Sequence, residues 1–209
     1  MLNFPIIASK TALLIQDLQN DFRKPGAPLE NKVAREVLLP RQKRLAAWCR
    51  SKGIPVVYCC HSHRRDGSDA GIMALVYPSI REKRALIRGT EGVEVYEEMK
   101  PEEGDIIVEK RRYSCFFGND LEMILRGKGV DTVIITSGGI NIGSESTARD
   151  AANRDFKVVF LSDGNIGHDM PDVGFGPIPK EVLQKVSLSN MAYAFAKVIS
   201  IDQLMAECQ

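Results

Sequence analysis

Long apolar runs are missing from this 209-residue chain. No window approaches the ~18 consecutive apolar residues of a membrane-spanning helix, so no membrane association is expected. A net charge is nearly missing as well, with 28 Lys and Arg against 27 Asp and Glu, formally +1. That balance excludes a broad basic face for nucleic acid as the main theme. The five cysteines, at positions 49, 59, 60, 115 and 208, contain no CxxC pair and form no even framework. An odd, scattered set excludes a disulfide scaffold and reads as reduced thiols of a cytoplasmic protein. The start, MLNFPIIASK, has no basic segment leading into a long apolar stretch, so no signal peptide is expected. Internal repeats, low-complexity tracts and a second-domain signature are missing too, and one domain over residues 1–209 is expected.

What the chain does contain is an alternation of two patterns. Short runs rich in Val and Ile occur at Thr11–Ile15, Ile54–Tyr58, Asp105–Val108, Thr132–Ile135 and Lys157–Leu161, with a weaker one at Lys197–Ile201. Four to six apolar residues flanked by turn signals suit strands buried on both faces. Helical patterns fall between them, at about Val33–Lys52, Asn119–Lys128, Glu145–Arg154 and Lys180–Phe195. Lys52-Gly53 and Lys128-Gly129 place a cation and then a glycine where a helix stops. A β-α-β-α order predicts a parallel sheet with helices on both faces. The stretch from His61 to Met99 has no clean periodicity, and a connection that long is expected to serve as a lid or an oligomer contact.

Ligands of open parallel sheets bind beyond the carboxyl ends of the strands. Three segments occupy that position. The first strand is followed by Gln16-Asp17-Leu18-Gln19-Asn20-Asp21-Phe22, and the third by Glu109-Lys110-Arg111-Arg112-Tyr113-Ser114-Cys115-Phe116. The fourth is followed by Ser137-Gly138-Gly139-Ile140-Asn141-Ile142-Gly143-Ser144, opening a helix. A carboxylate, an ammonium and a glycine-rich helix start are thereby brought to one edge of the sheet. Each has an ordinary structural use: Asp as a turn or cap residue, Lys in a solvated basic run, glycines in a tight turn.

The segments ALLIQDLQNDF, EKRRYSCFFGNDLEMIL and SESTARDAANRDFKVVFLSD closely resemble the isochorismatase-like hydrolases, the cysteine hydrolase superfamily, from about Lys10 to Gln203. The resemblance implies a three-layer α/β/α domain with a six-stranded parallel sheet. It also implies a small-molecule substrate and assembly as a homodimer or homotetramer. Most of the family uses an Asp–Lys–Cys triad on amides and ureides; the first two members match Asp17 and Lys110. The cysteine position, at a helix start that would lower a thiol pKa, matches Gly143. The resemblance therefore implies a member without the nucleophilic cysteine. Ser144 points about 100° away around the helix, and Cys115 is the substitute nucleophile to consider.

Some isochorismatases carry glycine at that position and cleave a vinyl ether with no acyl-enzyme. On that model Asp17 protonates the enolpyruvyl methylene of a substrate such as isochorismate, water adds, and the hemiketal collapses to pyruvate. Lys110 holds the geometry, and the N–H groups of Ile142 and Gly143 receive an oxygen. This is the leading expectation. The alternatives are an amidase- or ureidase-type C–N hydrolase using another nucleophile or water, and a catalytically silent ligand-binding member. The resemblance further suggests Phe22, Tyr113, Phe116, Gly139, Ile140, Asn141 and Ile142 as substrate-binding residues, with an unusual cis peptide at Gly139–Ile140. No metal or other cofactor is expected, since the Asp-x-His pattern that metal-binding relatives carry near His61 and His63 is absent.

Overall fold

The computed structural model describes residues 2–209. Its six strands are β1 (Thr11–Gln16), β2 (Val56–His61), β3 (Ile106–Lys110), β4 (Thr132–Ser137), β5 (Lys157–Asn165) and β6 (Lys197–Ile199). They form one all-parallel sheet in the order β3-β2-β1-β4-β5-β6. Four longer helices connect them, α1 (Leu39–Ser51), α2 (Leu121–Gly127), α3 (Glu145–Ala152) and α4 (Lys180–Ala194), and α5 (Ile201–Glu207) follows β6. The chain reverses direction across the sheet between β1 and β4, which opens a crevice at their carboxyl ends.

Alternation along β1 divides the core in two. Leu13 and Ile15 face one side with Val56, Tyr58, Ile134 and Val159, packing against Leu45 and Cys49 of α1 and Leu204 of α5. Ala12 and Leu14 face the other, with Val57, Val133 and Ile135 against Leu121, Ala148 and Met191. Every residue of β1, β2 and β4 is buried, which is why these runs read as continuous rather than alternating.

Several element boundaries differ from the sequence expectation, each for a local reason. The helix expected from Val33 is split into a π-turn, Ala34–Leu38, and then α1. Pro40 has no N–H to donate back to Glu36, and the widened turn, closed by Leu39 N–H to Ala34 O, accommodates that gap. β5 runs four residues past Leu161 through a register shift against β4, where the Asn165 side chain donates to Ile135 O and Leu161 O. The weak sixth strand stops at Ile199 because Ser200 caps α5 in a reciprocal box with Gln203.

The long connection after β2 is neither extended nor loose. It contains two short helical turns, Met73–Val76 and Pro78–Arg81, around a small core of Ala70, Met73, Ile80, Ala85 and Leu86. The residues after Asp17 bind it down. Gln19 Nε2 donates to His61 O and Val93 O, both at 2.8 Å, and Asn20 Nδ2 to Glu91 O at 2.8 Å. The buried Asp21 carboxylate accepts from Leu86 N–H at 2.6 Å. Gly92 lies so close that a Cβ there would come within 2.4 Å of the same carboxylate. Among the described residues, no helix is long and apolar enough to cross a membrane.

Because Ile134 is fully buried between two flanking strands, Ile134→Ala should lower the unfolding free energy by about 2–5 kcal/mol. Urea denaturation measures this, and a loss below about 1 kcal/mol would mean the site collapses to fill the cavity.

Candidate active site

Asp17 is the first residue past β1, and it adopts φ 57°. A left-handed conformation at a non-glycine residue costs of order 1 kcal/mol and is better tolerated by Asp than by most side chains. It ends the strand abruptly and turns the carboxylate toward β3, where Lys110 is the last strand residue. Lys110 Nζ lies 2.9 Å from Asp17 Oδ1 and 3.2 Å from Oδ2, with further bonds to Arg112 O and Tyr113 O. Burial disfavours the ammonium, but Asp17 outweighs it together with neighbouring thiols, and the Lys110 pKa ends above its usual value. Lys110 is therefore a fixed cation with 1% exposure, whereas the Asp17 side chain keeps 20%.

The position beside this pair belongs to Gly143, in a π-turn (Ile140–Ser144) that leads into α3. A Cβ at Gly143 would stand 2.1 Å from Gln16 Nε2 and 3.6 Å from Asp17 Oδ2. Gln16 thus fills the space that a side chain at 143 would need. Its amide is bonded on both ends: Nε2 donates to Tyr113 O (3.0 Å) and Asp17 Oδ2 (3.3 Å), and Oε1 accepts from Thr147 Oγ1 (2.9 Å) and Cys115 Sγ (3.3 Å). Gln16 and Gly143 are consequently a matched pair, and the glutamine gives Asp17 Oδ2 a hydrogen-bond donor.

A cavity of about 600 Å³ opens from this pair. Of the residues singled out in the sequence, Asp17, Lys110, Gly143, Phe22, Tyr113, Gly139 and Ile142 all line it. Phe116, Ile140 and Asn141 do not. Phe116 and Ile140 belong to the core on the α2–α4 face, with Phe116 packed 5.5 Å from the Phe156 ring. Asn141 turns its amide to Met170 Sδ at 3.4 Å. Helical turning in Ile140–Ser144 sends successive side chains in different directions, so only Ile142 and Gly143 face inward. The expected cis peptide is not present: all described peptide bonds are trans, and Ile140 N–H donates to Ile166 O at 3.0 Å. The Ile142 N–H donates to Gly139 O at 3.2 Å and so is not free to receive a ligand oxygen.

Cys115 is fully buried and lies behind Gln16, outside the cavity lining. A hydrogen bond donated to Cys115, together with burial, pushes the Cys59 thiol up, and burial carries Cys60 up to about 12. His61 and His63 stand with ring centroids 4.8 Å apart, and burial pulls both below their usual pKa. Among the described residues, no group of three or more His, Cys, Asp or Glu is placed to hold a metal ion.

Two lining residues have a place that the sequence reading does not give them: His61 is weighed there only as a metal ligand, and Arg23 not at all. His61, at the end of β2, faces the cavity as a neutral imidazole whose Nε2 has no partner. Arg23 faces it from the turn after Asp21, buried to 1% exposure. Its position after an Asp-Phe pair carries no linear mark that separates it from the chain's surface arginines. The Met73, Tyr77, Ile80 and Leu86 side chains of the long connection form the opposite wall.

A parallel α/β domain with a buried Lys–Asp pair in a cavity at the sheet's carboxyl edge has the layout of a small-molecule enzyme. The family model for the isochorismatase domain matches residues 11–203, and the chain belongs to that family of hydrolases. It is 27% identical to ureidoacrylate amidohydrolase RutB of Variovorax paradoxus (strain S110), covering 95% of this chain and 81% of the relative. Its structure is similar to that of a cysteine hydrolase from Pseudomonas syringae pv. phaseolicola 1448A, with TM-score 0.92 and 36% identity over 99% of this chain and 95% of the other. It also resembles N-carbamoylsarcosine amidase from Thermoplasma acidophilum, with TM-score 0.68 and 30% identity over 92% and 97%.

The Gln16–Gly143 match is testable by a double-mutant cycle. Gly143→Ala should destabilise by about 1–3 kcal/mol, since Gln16 must leave its four partners. In a Gln16→Ala background the same change should cost less, with a coupling of about 0.5–3 kcal/mol; additive thermal-unfolding data would refute the match. The two buried histidines carry a pH signature. Their pKa values are lowered on folding, so their contribution is fully present above the unfolded value of about 6.5 and is lost as pH falls below it toward the lowered folded values. Stability should therefore decline from pH 7 to pH 5, and His61→Asn should flatten that decline.

Proposed function

We propose that the protein hydrolyses the C–N bond of a ureido or carbamoyl compound, with water rather than a cysteine as the nucleophile. The observation that carries this reading is the fixed Lys110–Asp17 pair on the cavity wall, beside a glycine whose missing side chain is replaced by Gln16. A glycine cannot form an acyl-enzyme. Cys115 is sealed behind Gln16, and Cys59 and Cys60 hold their protons tightly. Asp17 accepts a proton from water, the resulting hydroxide adds to the carbonyl carbon, and Asp17 returns the proton to the departing nitrogen. Water is consumed, the C–N bond breaks, and an acid and an amine or ammonia leave. Lys110 orients Asp17 as a positioning residue.

The names of the relatives support this choice over the vinyl-ether reaction: an amidohydrolase and an amidase act on C–N bonds. The vinyl-ether reading keeps one specific observation in its favour, the glycine itself, because acid-catalysed cleavage of a substrate such as isochorismate needs no nucleophilic side chain. In that reaction Asp17 would donate rather than accept the first proton. The five free thiols suit a reducing cytoplasm, and a homodimer or homotetramer is the assembly proposed.

Purified protein should release ammonia or amine from a panel of N-carbamoyl amino acids and ureido acids. Asp17→Asn, which keeps a hydrogen-bond acceptor for the buried ammonium, should lower kcat/KM by about 10²–10⁴. Cys115→Ser should leave turnover in place. Pyruvate release from isochorismate, run in parallel, would transfer the assignment to the vinyl-ether reading. Loss of turnover in Cys115→Ser would overturn the water mechanism.

A further inference from the structure

Arg23 is the feature of the cavity that this chemistry does not use. Its guanidinium is almost completely enclosed, lines the cavity, and leaves Nε and Nη2 without a hydrogen-bond acceptor. Among the described residues, no carboxylate lies within ion-pair distance of it. The nearest anion is Asp17, already held by Lys110, whose attraction offsets only part of the burial that carries the Arg23 pKa down to about 10. Glu30, also in the lining, is engaged by Arg35 at 2.6 Å. Lys32, the other cation of the lining, is largely exposed and lies 3.9 Å from Glu36. With Glu30 and Lys32 set against partners outside the cavity, Asp17 and Lys110 cancel and Arg23 remains as a surplus cation. Nε and Nη2 are adjacent donors on one side of the planar guanidinium, and such a pair matches a carboxylate, which accepts two parallel N–H bonds.

We infer that Arg23 is the anion-binding residue of the cavity and that the ligand carries a carboxylate at the end remote from the reacting bond. The subsite lies against Gly138, where a Cβ would stand 3.4 Å from Arg23 Nη1, and beside Asn31, whose Nδ2 donates to Gly138 O at 2.8 Å. Asp17 and Arg23 thus act on opposite ends of one molecule, one on the C–N bond and one on an anionic tail. The inference rests on the hydrolase reading only for what the first end is. A carboxylate tail makes the substrate class a ureido acid or N-carbamoyl amino acid rather than a neutral urea or amide.

Binding without turnover tests this independently of the reaction. Benzoate and butyrate are paired with nitrobenzene and 1-nitropropane, which have the same shape, lack the charge, and contain no hydrolysable C–N bond. In titrations followed by NMR, the acids should bind more tightly than their nitro partners by about 10- to 150-fold, as a hydrogen-bonded charge confers. Arg23→Met should erase that preference, Arg23→Lys should keep part of it, and the melting temperature of the ligand-free Arg23→Met protein should hold or rise. Equal binding of acid and nitro compound, absence of saturable acid binding, or an acid preference that survives Arg23→Met would each overturn the subsite. Acid preference without release of ammonia from any ureido acid would leave the subsite standing and remove the hydrolase reading.

Discussion

The buried ammonium of Lys110 is the constraint around which the rest of the site is arranged. A cation taken out of water needs an anion and acceptors, and the effective cost of leaving it unpaired is several kcal/mol. Asp17 supplies the anion, and Arg112 O and Tyr113 O the remaining acceptors. Meeting that demand requires β3 to run two residues past the level at which β1 ends, with β2 lying between them. It also requires Asp17 to leave the strand at a left-handed angle and the chain after Lys110 to fold back over its own ammonium. The ion pair is better understood as the reason for these local conformations than as a source of net stability.

Gln16 extends the same network to the opposite side of the carboxylate. Its four hydrogen bonds join β1, the segment after β3 and helix α3 through one amide. A side chain at 143 and the present position of Gln16 are mutually exclusive, so Gly143 by itself does not describe this site. Two positions 127 residues apart in sequence have to be read together, and a cysteine introduced at 143 alone would displace Gln16 and so disturb Asp17 as well.

The sheet was legible because strands buried on both faces leave unbroken apolar runs, and Thr11–Ile15 and Thr132–Ile135 are nearly complete images of β1 and β4. The limits of β5 and α1 were not, because a side-chain bond from Asn165 and the missing N–H of Pro40 act through partners that the local pattern does not contain. At the site, Asp17, Lys110 and Gly143 lay where strand ends point. Ile140 and Phe116 carried the same apolar character as true lining residues, and only the turn of the chain separates core from cavity. Arg23 was invisible for a different reason: its significance is the absence of a partner, which no single position displays. The run Gln19-Asn20-Asp21, next to the catalytic candidate, spends its polar groups on the long connection instead of the ligand.

That use of Gln19, Asn20 and Asp21 bears on how a ligand reaches the cavity. The wall carrying Met73, Tyr77, Ile80 and Leu86 is tied to the end of β1 by side chains of three consecutive residues, and by bridges pairing Gln19 with Val95 and His63 with Ile87. A segment fastened at so many points is a jamb rather than a door. Entry then depends on an aperture of constant outline, selection is made by the shape a molecule already has, and the rate of turnover is set by the reacting bond and the release of its fragments instead of the swing of a loop.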